Sequence, residues 1–175
     1  MRVLTFGHGT ADRAELTRLL TGAGAELLVD VRTAPRSRRN PDAGRDAMSD
    51  WLPEAGITYR WDKRLGGWRK APPHSPDSAL RNRSFAGYAA HMRSRTFADA
   101  IGDLLADAER QLPVVMCAES VWWRCHRSMI ADYLVSIRHV DVRHLMHDGT
   151  LQQHVPSRRA RVLDHGLVYD ESAAS

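Results

Sequence analysis

The 175-residue chain predicts an α/β fold, a single three-layer domain with a mostly parallel, Rossmann-like sheet and helices on both faces. Three observations predict it. Short, mostly apolar runs at Val3–Phe6, Leu27–Val29 and Val114–Met116 lack the strict apolar–polar alternation of half-exposed strands, as expected of parallel strands buried on both faces. Stretches with helical spacing lie between those runs, and strict strand–helix alternation selects a parallel sheet with right-handed crossovers. The length suits one domain that buries roughly 70% of its unfolded surface.

Val3-Leu4-Thr5-Phe6 reads as the first strand and Gly7-His8-Gly9-Thr10 as a tight turn. Thr10 is placed to cap a helix with Leu16, Leu19 and Leu20 inward, stopped at Gly22-Ala23-Gly24. Glu26 to Arg32 forms the second strand, with Asp30 and Arg32 at its carboxyl end, and a basic loop runs from Thr33 to Asn40. Pro41-Asp42 opens a second helix carrying Met48, Trp51 and Leu52, and Ile57 to Trp61 is a third strand. Asp62 to Arg83 has no periodicity, a length that in a compact domain marks a functional or disordered stretch. Ser84 to Arg93 and Thr96 to Arg110 read as helices, the second capped by Thr96. After the central strand, Met129, Ile130, Tyr133 and Leu134 share a helix face. Val140 to Met146 is the last strand expected. Residues 1–156 then make the domain, and 157–175 a polar, loosely held tail.

Composition narrows the function classes. No apolar run approaches the roughly 20 residues of a membrane span, and MRVLTFGHGT lacks the apolar core of a secretory signal. Two cysteines do not make a disulfide scaffold. A cytoplasmic protein is therefore expected; the oligomeric state stays open, with a monomer favoured. The net charge is +4, and only Lys63 and Lys70 of the 25 basic residues are lysines. Arginine-rich surface suits phosphate through bidentate contacts, the plain alternative being a solvated cationic surface.

Pro113 to Leu134 holds the densest chemistry: Cys117, Glu119, Trp122, Trp123, Arg124, Cys125, His126 and Arg127. Ligands of open α/β sheets bind beyond the carboxyl ends of strands, which is where this stretch falls. Glu119 and Asp30 are candidates to activate water or stabilise an oxocarbenium ion; the structural alternative pairs Asp30 with Arg32 or Arg127. Trp68 and Tyr59 are candidates to stack bases, with Trp51 and one of the Trp122–Trp123 pair assigned to the core. Cys117, Cys125 and His126 do not have a standard zinc spacing, so no metal and no cofactor are expected.

A thiol at a strand end with an arginine after it resembles rhodanese-like sulfurtransferases and Cys-dependent phosphatases, and Leu28-Val29-Asp30-Val31-Arg32 looks like the rhodanese second-strand motif. The spacing from Cys117 to Arg124 is six residues, against about five in those enzymes. Glu119 in the loop also opposes an ionised thiol. A broader set of motifs resembles the domain of unknown function 488 family. It comprises Gly7-His8-Gly9-Thr10, Asp30-Val31-Arg32, Pro35-Arg36-Ser37, Leu65-Gly66-Gly67, Arg81-Asn82 with Phe85-Gly87-Tyr88, Cys117-Ala118-Glu119 and Cys125-His126-Arg127. Gly9 departs from the Ser or Asn more usual there. The resemblance implies a small α/β domain with these positions gathered at one site and no settled reaction.

Together these readings predict an enzyme acting on nucleic acid: a DNA glycosylase that flips a modified or damaged base into the pocket. Glu119, Asp30 and His126 are the expected catalytic residues. Substrate contacts are expected from His8, Arg32, Ser37, Tyr59, Trp68, Arg81, Tyr88, Cys117, Trp122 and Arg127. Arg36, Arg38, Arg39, Arg64, Arg69 and Lys70 are expected to hold the backbone phosphates of DNA. The rivals are a rhodanese-like or phosphatase-like thiol enzyme using Cys117, and a nucleic-acid-binding module without catalysis.

Overall fold

The protein is described by a computed structural model covering residues 1–174. Six strands form one sheet: β1 (Arg2–Gly7), β2 (Leu27–Asp30), β3 (Thr58–Trp61), β4 (Pro113–Cys117), β5 (Asp141–Leu145) and β6 (Leu151–Gln153). Their order is β3-β2-β4-β1-β5-β6, all parallel except β6, which pairs antiparallel with β5. The α/β class and the mostly parallel sheet agree with the sequence pattern. β6 has no counterpart in the sequence pattern, because its three residues Leu151–Gln153 carry no apolar run.

The alternation of side chains across the strands sorts the core into two layers. Leu4, Phe6, Leu28, Val114 and Met116 face α1 (Arg13–Gly22) and α2 (Arg45–Glu54) through Leu16, Leu20, Met48, Trp51 and Leu52. Val3, Val29, Val115, Cys117 and Val142 face α3 (Arg83–Met92), α4 (Arg95–Ala108) and α5 (Arg127–Ser136), with Tyr88, Phe97, Ile101 and Ile130 between. β1 therefore leads into one helical layer and β4, its neighbour, leads into the other. The crevice between their carboxyl ends is the topological switch point of the sheet.

Caps differ in detail from expectation. Asp12, not Thr10, starts α1 by accepting from Glu15 N, and Ser94, not Thr96, caps α4 by accepting from Phe97 N. The stretch from Asp62 to Arg83 is pinned: buried Asp77 accepts both ends of the Arg93 guanidinium and Tyr169 N. Gly87 lets α3 lie against it, since a Cβ there would sit 2.5 Å from Arg69 O.

The tail is not loose. β7 (Ala160–Leu163) and β8 (Gly166–Tyr169) form a hairpin whose Leu167, Val168 and Tyr169 are buried. A short β-prone apolar run inside a polar composition was enough to seat it.

Candidate active site

Pairing of β1 with β4 continues past the strand ends, with His8 N donating to Cys117 O and Gly9 N to Ala118 O. Gly7 permits this closeness: a Cβ there would lie 1.8 Å from Glu119 O. The loop Ala118–His126, with one 3-10 turn at Trp122–Arg124, closes over a cavity of about 440 Å³ lined among others by Arg32, Arg36, Trp68, Cys117, Glu119, Cys125 and His126. Trp68 stands at its mouth, 76% exposed.

Two buried thiols occupy the floor. Cys125 Sγ lies 2.8 Å from Cys117 Sγ, and Arg127 Nε donates to Cys117 Sγ at 3.0 Å. Arg127 is 1% exposed. Its Nη1 donates to Thr5 Oγ1 and its Nη2 to the carbonyls of Glu119 and Ser120, so the same guanidinium that faces the sulfur holds the loop. Burial pushes the Cys117 thiol up, but the Cys125 S–H donor and the charge of Arg127 outweigh it and bring it down to about 7. The Cys125 thiol is pushed up, first by its bond to Cys117 and then by burial. Arg124, the loop arginine compared with those thiol enzymes, is exposed; α5 starts three residues later and turns Arg127 inward instead.

Behind Arg127 runs a buried chain absent from the expected site. His144 Nδ1 faces Thr5 Oγ1 at 2.6 Å, His154 Nδ1 faces His144 Nε2 at 2.9 Å, and His154 Nε2 faces Asp132 Oδ1 at 2.8 Å. The Asp132 carboxylate also accepts from Tyr169 Oη and Ser157 N. Burial, reinforced by His154 and Arg127, pushes His144 down to about 3. With neutral rings every link has one donor: His154 gives to Asp132, His144 to His154, Thr5 to His144, Arg127 to Thr5. Trp122 stacks on His144 with centroids 4.1 Å apart, resting the loop on this chain.

The remaining expected residues divide. Asp30 is 0% exposed and sealed. Its oxygens accept Arg32 Nε and Nη2 at 2.8 and 2.6 Å and Tyr59 Oη at 2.7 Å. It has no open face for water, which removes it as a catalytic carboxylate and ties up Tyr59 as a stacking platform. Arg32 also donates to Ala43 O and to His8 Nε2, and burial with Arg32 lowers the His8 pKa. Tyr88 is wholly buried, its hydroxyl on Leu65 O, and Ser37 Oγ accepts from Asn40 N; both are structural. Arg64 is held by Asp62 and Asp103, and Arg69 by the carbonyls of Gly66 and Arg64, so neither is free for phosphate. Arg81 is exposed but does not line the cavity, and Trp122 is half-buried against His144.

Glu119, His126, Trp68, Arg36 and Cys117 do converge. Glu119 Oε1 accepts from Val121 N, and its other oxygen has no hydrogen-bond partner among the described residues. His126 packs its ring on Tyr88 and Gly67, and burial lowers its pKa to about 4. Arg36, Arg38, Arg39, Lys70 and Arg124 are exposed and form no ion pair among the described residues. No group of three or more His, Cys, Asp or Glu side chains among the described residues is placed to hold a metal ion.

No curated protein and no solved structure matches the chain. The family described as Domain of unknown function DUF488 matches over residues 12–134, a span that holds the cavity-lining residues named above. With most of its length matched, the chain belongs to the DUF488 family.

Proposed function

We propose that the chain is a thiol enzyme in which the Cys117 thiolate attacks electrophilic sulfur, as rhodanese-like enzymes do. One observation carries this reading: Arg127 is a buried cation with no carboxylate in reach among the described residues, and its one ionisable contact is Cys117. An uncompensated buried charge costs several kcal/mol. Ionising Cys117 cancels it, and thiolates are the nucleophilic form of cysteine. Phosphoryl chemistry fits less well, because the guanidinium spends four N–H groups on the sulfur, Thr5 and the loop carbonyls.

The test is the rate of alkylation by iodoacetamide against pH. A half-maximal rate at about pH 7 is expected, lost in Cys117→Ser; a midpoint near the free-thiol value of about 8.5 sinks the reading. Thiosulfate should then leave a persulfide on Cys117 and release sulfite.

A second reading, excision of a modified base by a DNA glycosylase, is favoured by a separate observation. Glu119 and Trp68 line the same cavity, with Arg36, Arg38, Arg39 and Arg124, unpaired among the described residues, on exposed surface of the loops that bound it. Here Glu119 positions water or stabilises the sugar cation, without help from Asp30, and free arginines take phosphates. Incubating the protein with modified-base duplex, then heating in alkali, distinguishes the two. Strand breaks retained in Cys117→Ser but lost in Glu119→Gln select excision, and no salt-sensitive binding at low salt removes nucleic acid as a partner.

A further inference from the structure

The chain has two cysteines and they are in contact. Neither has another sulfur to pair with, both are buried, and both line the cavity. Their 2.8 Å separation is only roughly 0.8 Å longer than a disulfide bond. They differ in charge, since Arg127 donates to Cys117 while Cys125 keeps its proton and points it at Cys117. Cys125 sits on the loop and Cys117 on the rigid strand end, so one sulfur is fixed and the other rides on a segment of single turns.

We propose that Cys125 is the resolving thiol of Cys117 and that the pocket takes a disulfide, which the pair reduces by dithiol–disulfide exchange. This rests on Cys117 being the nucleophile. The Cys117 thiolate attacks one sulfur of the substrate RS–SR′, forming a Cys117–SR mixed disulfide and releasing R′S⁻. Cys125 then loses its proton to the departing R′S⁻. The Cys125 thiolate attacks Cys117 Sγ, the Cys117–SR bond breaks, and RS⁻ leaves. The substrate gains two electrons and becomes RS⁻ and R′SH; the protein gains one Sγ–Sγ bond. Exchange of this kind is fast when the attacking thiol ionises near ambient pH.

The roles of the two sulfurs predict which intermediate accumulates. Reduced full-length protein is mixed with oxidised glutathione and followed by intact-mass spectrometry with peptide mapping. The wild type is expected to lose two hydrogens and hold no lasting adduct. Cys125→Ser, or Cys125→Ala if the serine variant folds poorly, is expected to hold one glutathionyl group on Cys117, with a lifetime longer by about tenfold or more. Equal adduct lifetimes on Cys117 in both proteins would overturn resolution by Cys125 and leave the thiolate reading standing. Glutathionylation of Cys125 in Cys117→Ser at the wild-type rate would overturn the assigned roles. If no folded form reacts while urea-unfolded chain does, Cys117 is not a nucleophile, and both readings fall.

Discussion

At the scale of single residues, the site turns on one charge and one sulfur. Removing the cation from a buried pair leaves an uncompensated charge and commonly costs about 3–5 kcal/mol. Arg127→Met, which keeps the volume, is expected to lose that much in urea unfolding and to move the Cys117 alkylation midpoint up from about 7 toward the free-thiol value. The same thiol sets a pH dependence. Its folded pKa lies below the unfolded value of about 8.5, so its contribution is complete above that pH and is lost as pH falls through about 7. Wild-type stability should therefore decline between these values, by on the order of 1–3 kcal/mol, while Cys117→Ser stays flat over the same window. Cys117 was legible in the sequence because a strand end announces itself. The choice of Arg127 over Arg124 was not, because it depends on where α5 begins. Asp30 was legible only as a pair with Arg32; which of two plain readings held depended on whether Tyr59 from β3 closed the third side.

At the scale of elements, the loop Ala118–His126 over the cavity is held from two sides. Gly7 on β1 accepts its backbone at close range, and Trp122 seats it on His144 of β5. Gly7→Ala puts a methyl group onto Glu119 O. It is expected to cost about 2 kcal/mol or more by forced displacement, and to slow Cys117 alkylation even where the protein stays folded by circular dichroism. The strand runs and their parallel order were readable from apolar patterning. The chain Thr5–His144–His154–Asp132 was not. It draws on β1, β5, the segment after β6, and α5, and its residues share no spacing that a reader of one sequence could recognise.

At the scale of the molecule, the DUF488 span covers residues 12–134, yet the site leans on parts outside it. Thr5, His144 and His154 come from beyond the matched span, and Tyr169 of the final hairpin donates to Asp132. A buried hydroxyl hydrogen bond to a charged group is worth about 1.5–3 kcal/mol. Tyr169→Phe should lower stability by that order. Truncation after Pro156 should do worse, uncovering Asp77 and Asp132 together, with thermal melting as the readout. The seating of the tail is not legible in its sequence, because its composition is polar on average while three consecutive residues, Leu167-Val168-Tyr169, supply the burial.

The dual contact of Arg127 has one further consequence. On the proposed thiolate reading, the reactive sulfur is also the counter-ion of the group that fastens the loop. Capping that sulfur, by substrate or by reagent, strands the cation and strains its hold on the Glu119 and Ser120 carbonyls. The unmodified protein should then be the more rigid form, and the protein modified on Cys117 a loosened one. Hydrogen–deuterium exchange at residues 118–126 should quicken on alkylation of Cys117, with the sheet unchanged; equal exchange before and after would show that the loop does not feel the charge.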